Sequence, residues 1–160
     1  MGIESSIHKN SGWQGQLARV QRWHSRLKQI ATRMSQTKDT ELDFDFIYAF
    51  FQNCYHLRDW LENSKTVSHQ KLQEFFRDHY EMQICRDICN GTKHFDITRP
   101  SVDSHFSIGR EYVPSNWPGS RPHINQTWFI ISGNTKYDIF DLADTCMSHW
   151  DRFISENGLQ

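Results

Sequence analysis

The sequence contains no apolar run near the roughly 20 residues that a membrane-spanning helix needs. Its first residues, MGIESSIHKNSGWQGQ, also lack the apolar stretch of a secretory signal, so we expect a cytoplasmic protein without a membrane partner. Only four cysteines occur among 160 residues, and in a reducing compartment we expect free thiols. The formal net charge of −1 excludes a generally polycationic nucleic-acid binder.

Common catalytic and nucleotide-binding motifs are also missing, namely HExxH, the phosphate-binding loop GxxxxGK[ST], GxGxxG and GxSxG. Cys85, Cys89 and His94 have no second cysteine pair at ligand spacing, so the two cysteines favour packing over zinc binding. A metal site built from His56, Asp59 and His94 would lack the paired inward carboxylates of helical-bundle metal sites. We therefore expect neither a metal nor another cofactor.

Aromatic residues are abundant, at 14% of the chain, which excludes a disordered protein. The length suits one domain, and we expect a flexible tail over residues 1–12 followed by a single domain over 13–160. All four prolines lie between Pro100 and Pro122, so residues 99–140 are expected to form a loop and β-hairpin insert. The predicted fold class is mainly α, a bundle of four to five helices with this small antiparallel insert before the last helix.

Apolar residues at helical spacing predict helices that begin near Gly15, Thr40, Ser68, Tyr80 and Asp138. The first should run to Met34, and the last should stop at Gly158, a favourable residue at a helix C-terminus. The helix after Thr40 has the widest apolar face and is expected at the centre of the core. Between strands, Gly133-Asn134 predicts a two-residue hairpin turn.

The first predicted helix carries a basic stripe turned away from its apolar face, formed by Arg19, Arg22, Arg26 and Arg33. No acidic residue occurs between Glu4 and Asp39, whereas seven Lys or Arg do. Three interpretations stay open: a solvated face, a site for phosphates, or a surface that packs against an acidic last helix. That last helix carries Asp141, Asp144, Asp151 and Glu156.

The most unusual segment is CRDICNGTKH, residues 85–94. If the helix continues through Gly91, then Arg86, Asn90 and His94 share one polar face and Lys93 borders it. These side chains together can hold a phosphate and supply a proton donor or acceptor near neutral pH. If Asn90 and Gly91 instead end the helix, the three side chains scatter. Both alternatives stay open.

A second polar group lies on the predicted core helix, where Arg58 falls on or beside the apolar stripe. An arginine in that position needs a partner because an unpaired buried charge is costly. Asp87 is the expected partner if the second and fourth helices are neighbours. In the alternative, Arg58 and His56 lie at the rim of the same pocket as His94.

A four-helix domain of this size, with Arg86-Asp87, Asn90 and Lys93-His94 on one late helix, resembles the HEPN superfamily of prokaryotic helical domains. Many members are metal-independent ribonucleases of toxin–antitoxin and antiviral defence systems, and others only bind nucleotides or proteins. The family motif is an Arg, a polar residue, and a His four to six positions later, contributed by both subunits of a dimer. Here seven residues separate Arg86 from His94. The resemblance covers residues 15 to 95 and the last helix.

The resemblance implies an RNA-binding homodimer and, in active members, cleavage without metal. His94 would deprotonate the RNA 2′-OH, and Arg86 with Lys93 would stabilise the crowded phosphorane. Asn90 would orient His94 or the substrate, while the basic stripe would hold flanking phosphates.

The alternative function is a non-catalytic helical module that binds a protein. In that case Arg58, Asp87, Arg86 and His94 form structural polar contacts.

Overall fold

The computed structural model describes residues 3–32, 40–93, 99–103, 105–115 and 123–159. The elements, in chain order, are α1 (Ile3–Thr32), α2 (Thr40–Asn63), α3 (His69–Asp78), α4 (Tyr80–Lys93), β1 (Ser107–Ser115), β2 (His123–Ser132), β3 (Thr135–Asp138) and α5 (Ile139–Glu156). The fold is therefore mainly helical with a small antiparallel sheet before the last helix, which confirms the predicted fold class. None of the helices described here combines the length and apolar character that a membrane span requires.

Helix α1 begins earlier than the sequence predicts. It starts at Ile3 rather than near Gly15, so residues 3–11, which we expected within a flexible tail, are helical. The helix is kinked at Gly12, where φ is 55° and ψ is −151°. Only glycine adopts this conformation without strain, and the apolar face toward the core begins just beyond it with the buried Trp13.

Helix α2 is the central element, as predicted. It begins at Thr40 and contacts each of the other four helices. Its fully buried side chains are Ile47, Phe50, Phe51, Cys54, Leu57 and Leu61. Because these residues recur at helical spacing around a broad face, α2 can bury apolar surface against several neighbours at once.

Helices α3 and α4 also begin where the sequence predicts. Ser68 caps α3, and its hydroxyl accepts a hydrogen bond from the Lys71 N–H at 3.3 Å. Helix α4 continues through Gly91 and ends at Lys93, so Asn90 and Gly91 do not terminate it. Arg86 and Asn90 therefore lie one turn apart on one continuous helix.

The sheet has the strand order β1-β2-β3, with both pairs antiparallel. Gly133 and Asn134 have φ values of 55° and 63° and form the predicted two-residue turn between β2 and β3. Trp128 and Ile130, alternate residues of β2, are buried, so one face of the sheet covers the helices.

Helix α5 is capped at both ends by residues next to it in the sequence. The Asp138 carboxylate accepts hydrogen bonds from the N–H groups of Phe140 and Asp141, at 2.8 and 3.1 Å. At the other end, the N–H groups of Gly158 and Leu159 donate to carbonyls in the last turn. Gly158 has a φ of 64°, so it forms the expected C-terminal cap.

Candidate functional site

The best candidate site is a pocket of about 660 Å³ between α2, α3, α4 and the segment that contains Ser101. Three guanidinium groups line it, one from each helix: Arg58, Arg77 and Arg86. The lining also includes one carboxylate, that of Glu74. Positive side chains therefore outnumber negative ones on the wall of the pocket. We call this cavity, which Arg58, Arg77 and Arg86 line, the arginine pocket.

The three arginines differ in how fully their charge is already paired. Arg77 donates two hydrogen bonds to its neighbour Asp78, at 2.8 and 3.2 Å. Arg58 lies 3.6 Å from Asp59 and 3.7 Å from Glu62, which are ion pairs without close hydrogen bonds. Arg86 forms no ion pair with any described residue, and its buried Nε has no hydrogen-bond partner there. Of the three arginines, Arg86 is thus the one whose guanidinium group forms no ion pair or hydrogen bond with the described residues and remains able to bind an anion.

A second residue that lines the pocket also has an unsatisfied polar atom. The Ser101 hydroxyl is buried and has no hydrogen-bond partner among the described residues, although Ser101 lines the same pocket. Buried polar groups are nearly always hydrogen-bonded, and an orphan needs a specific explanation. Both orphan atoms therefore belong to residues that line the same pocket.

The aromatic wall of the pocket is formed by Tyr55 and Phe76, whose rings meet edge to face with centroids 5.4 Å apart. Arg58 Nη1 donates to the Tyr55 hydroxyl at 3.5 Å. Burial raises the pKa of Tyr55, and the positive charges of Arg58 and Arg86 oppose this without reversing it. Tyr55 is therefore a neutral phenol near pH 7 and can donate a hydrogen bond to a ligand.

Of the predicted catalytic residues whose side chains the structure describes, Arg86 and Asn90, only Arg86 lines the pocket. Asn90, one turn further along α4, is half-buried and is not part of the pocket lining. His94 and the side chain of Lys93 lie outside the described residues. Their roles, and the shared face of Arg86, Asn90 and His94, stay predictions.

The predicted pairing of Arg58 with Asp87 is wrong. The fully buried Asp87 carboxylate instead accepts three backbone hydrogen bonds, from the N–H groups of residues 101–103 at 2.6, 2.7 and 3.1 Å. Arg58 has carboxylates nearby on its own helix, and its side chain reaches the pocket rim with 20% of its surface exposed. The physical reason is that Arg58 can keep its charge near water, whereas Asp87 is sealed beneath the 101–103 segment.

His56 also lies apart from the arginine pocket. Its Nε2 is 3.7 Å from the sulfur of Cys89 on α4, so it contributes to the contact between α2 and α4. Arg58 lines the arginine pocket, whereas His56 does not belong to its lining. Because His94 lies outside the described residues, a pocket that Arg58 and His56 share with His94 stays a prediction.

Arg19, Arg22 and Arg26 of the basic stripe lie on α1, and no residue of α1 is part of the described lining of the arginine pocket. Arg22 and Arg26 are exposed, and the Arg26 guanidinium lies 4.5 Å from the centre of the Trp23 ring. Arg19 donates to Gln16 at 3.1 Å. Arg33 lies outside the described residues. Arg22 and Arg26 are therefore accessible to solvent and to charged partners.

Charge does join α1 to the acidic last helix, but through other residues than the arginines. Asp144 on α5 accepts from His24 at 2.6 Å and from Lys28 at 2.9 Å. The predicted charge complementarity between α1 and α5 is thus present at one carboxylate, that of Asp144. Arg22 and Arg26 form no ion pair with the described acidic residues of α5.

Sequence reasoning missed a cluster of three cysteines in the core. All four cysteines are buried and none forms a disulfide. Three of them, Cys54, Cys85 and Cys146, place their sulfur atoms within 4.8 Å of one another. Because they come from α2, α4 and α5, no local spacing in the sequence could indicate this meeting.

Comparison with known proteins gives no relative for this chain. No protein-family model matches it, and no curated protein or solved structure is significantly similar to it.

Proposed function

We propose that the protein is an RNA-binding helical domain of the HEPN type, and that the arginine pocket holds one nucleotide unit of the RNA. The observation that carries this proposal is Arg86, a cation in a pocket with a buried nitrogen that lacks a partner. The resemblance of the Arg86-Asp87 segment to the HEPN motif supplies the class of ligand. A role in prokaryotic defence or in a toxin–antitoxin pair, acting as a homodimer, is part of the same proposal.

The charge of the pocket favours a phosphate group. Guanidinium groups present planar pairs of N–H donors that match phosphate oxygens, and charge-assisted hydrogen bonds are the strongest of their kind. Arg86 and the Ser101 hydroxyl both offer donors that are not used within the described structure. Arg58, with only long contacts to carboxylates, can turn towards the same anion.

The size and the other walls of the pocket favour a nucleotide over a bare phosphate. A volume of about 660 Å³ lies within the range of small-molecule sites and far exceeds that of one phosphate. Tyr55 and Phe76 supply aromatic surface for a base, and single-stranded RNA is commonly held by such stacking. Gln70, Gln73 and Gln83 also line the pocket, and their amides can pair with base edges.

Cleavage of the bound RNA is a further part of the proposal. A base must deprotonate the 2′-OH and positive charge must stabilise the phosphorane. Arg86 is available for the second role from its place in the pocket, and His94 is the residue we propose for the first. The non-catalytic alternative is favoured by Asp87, since its carboxylate is fully used in holding residues 101–103.

The proposal is tested by the affinity for a fluorescently labelled single-stranded RNA, measured by anisotropy at about 50 mM salt. Arg86→Ala should weaken binding about tenfold or more, since a hydrogen bond to a charged group contributes roughly 1.5–3 kcal/mol. Incubation of the same RNA in EDTA tests cleavage, which His94→Ala and Arg86→Ala should each abolish if the site is active.

Arg152→Ala is the matched control, because Arg152 is an exposed arginine on α5 outside the pocket lining. It removes the same charge and should change the affinity far less than Arg86→Ala does. Equal losses in the two variants, or no RNA binding by the unaltered protein at low salt, would refute the proposed pocket. RNA binding without cleavage would retain the pocket and reject the catalytic roles.

A further inference from the structure

The three sulfur atoms of Cys54, Cys85 and Cys146 meet where α2, α4 and α5 cross. Each of these residues is fully buried, and the sulfurs lie within 4.8 Å of one another. We call this group the three-cysteine cluster. Its members come from three separate helices, so only the assembled bundle brings them together.

The spacing of the sulfurs suits a single bound metal ion. A metal–sulfur bond of about 2.3 Å places three sulfurs around one ion at roughly 4 Å from each other. The observed limit of 4.8 Å requires each sulfur to move inward by only a fraction of an ångström. Two of the thiols are already oriented by the backbone, since Cys85 donates to the Phe51 carbonyl at 3.5 Å and Cys146 donates to the Glu81 carbonyl at 3.6 Å.

The ligand set discriminates between metals. Structural zinc takes four ligands, and among the described residues no histidine, carboxylate or fourth cysteine joins this cluster. The three cysteines have no surface exposed to solvent, whereas a catalytic zinc site keeps one position open to water or substrate. Thiolates are good ligands for both Cu(I) and Zn²⁺, but three sulfurs without a fourth ligand favour Cu(I), which accepts threefold coordination.

We propose that the three-cysteine cluster binds one Cu(I) ion through its three sulfur atoms. Binding changes no oxidation state: the ion takes up the sulfur lone pairs, and the displaced thiol protons pass to solvent. The bound ion would join α2, α4 and α5 at the centre of the bundle. Cys54 and Cys85 precede Tyr55 and Arg86, so the ion would also fix the two helix segments that face the arginine pocket.

The test is an anaerobic titration of the reduced full-length protein with Cu(I) in the presence of a chromophoric Cu(I) chelator. We expect one Cu(I) per chain, a thiolate-to-metal absorption band in the near ultraviolet, and three sulfur neighbours by X-ray absorption spectroscopy. Because the site is sealed, the ion is added both to folded protein and during refolding. Saturation at about 100 times the dissociation constant should raise the melting temperature by roughly 5–10 °C.

Cys89→Ser is the matched control, since Cys89 is a buried cysteine on α4 outside the cluster. It should keep the stoichiometry, whereas Cys54→Ser, Cys85→Ser and Cys146→Ser should each lower the Cu(I) affinity at least 100-fold. Circular dichroism identifies which variants fold, and any one folded cluster variant suffices for the comparison. No Cu(I) uptake by either route, equal uptake by a folded cluster variant, or tighter binding of Zn²⁺ than of Cu(I) would overturn the proposal.

Discussion

Arg86 and Asp87 are adjacent on α4, yet they differ in how far their polar atoms are hydrogen-bonded within the protein. Successive residues of an α-helix point about 100° apart, so one side chain faces the arginine pocket and the other faces the 101–103 segment. Arg86 has an unsatisfied nitrogen, whereas both oxygens of Asp87 are used. Motif matching treats the pair as one unit. The structure places one of these side chains on the wall of the pocket and uses the other to hold residues 101–103.

This separation predicts different effects on stability for neighbouring substitutions. Asp87→Ala should lower the free energy of unfolding by about 3 kcal/mol, because three backbone N–H groups lose a charged acceptor and water replaces it only in part. For a chain of this length that corresponds to a fall in melting temperature of roughly 6–12 °C. Thermal unfolding followed by circular dichroism measures the change.

Arg86→Ala serves as the comparison for Asp87→Ala. It should change the melting temperature by no more than a few degrees, since Arg86 forms no ion pair with the described residues. Similar losses of stability in both variants would mean that Arg86 is structural as well. An unchanged melting temperature in Asp87→Ala would show that the 101–103 segment is held by other contacts.

Elements with local signals could be predicted from the sequence, and those that depend on distant contacts could not. The Ser68 cap, the Gly133-Asn134 turn and the Asp138 cap each follow from residues within a few positions of one another. The partner of Asp87 lies 14 to 16 positions away, in a segment without regular structure. The three-cysteine cluster joins helices separated by up to 92 positions, from residue 54 to residue 146.

At the scale of one element, α1 presents exposed arginines that α5 leaves unpaired. If RNA extends beyond the arginine pocket, Arg22 and Arg26 attract its phosphates through long-range electrostatics. The double variant Arg22→Glu/Arg26→Glu should therefore weaken RNA binding about tenfold at about 50 mM salt, and the difference should shrink at about 200 mM salt as the charges are screened. Anisotropy titrations over this range give the slope of affinity against salt concentration.

Arg152→Glu is the control for the α1 stripe, because it reverses the charge of an exposed arginine on another helix. If Arg152→Glu lowers the RNA affinity as much as Arg22→Glu/Arg26→Glu does, the loss is an effect of net charge alone. RNA binding that does not change with salt in the unaltered protein would leave the stripe as a solvated face.

For the whole molecule, the contact between α1 and α5 connects the first and last helices of the bundle. Asp144 is its charged centre, with His24 and Lys28 on the opposite helix. Burial acts to raise the pKa of Asp144, but hydrogen bonds from Lys28 and His24 hold the pKa below its usual range. The folded state therefore favours the ionised carboxylate more than the unfolded chain does.

The sign of the pH dependence follows from this lowered pKa. Ionised Asp144 stabilises the fold fully above its unfolded pKa of about 3.9, and the contribution is lost as the pH falls through the lower folded value. Asp144→Asn should thus lower the melting temperature by a few degrees at pH 6, and the difference from the unaltered protein should shrink as the pH falls below about 4. The contribution of Asp144 to the free energy of unfolding is modest because its side chain is 48% exposed and solvent screens its charge.

Asp151→Asn on the same helix is the control that distinguishes loss of the Asp144 ion pairs from the general effect of removing an acidic residue. Asp151 is exposed and forms no ion pair with the described residues, so its replacement should leave the melting temperature within about one degree at every pH. If Asp144→Asn shows the same small change at pH 6, the bridge between α1 and α5 contributes nothing measurable. A difference that grows on acidification would contradict the lowered pKa itself, because that result requires a carboxylate that is protonated more readily in the folded state than in the unfolded chain.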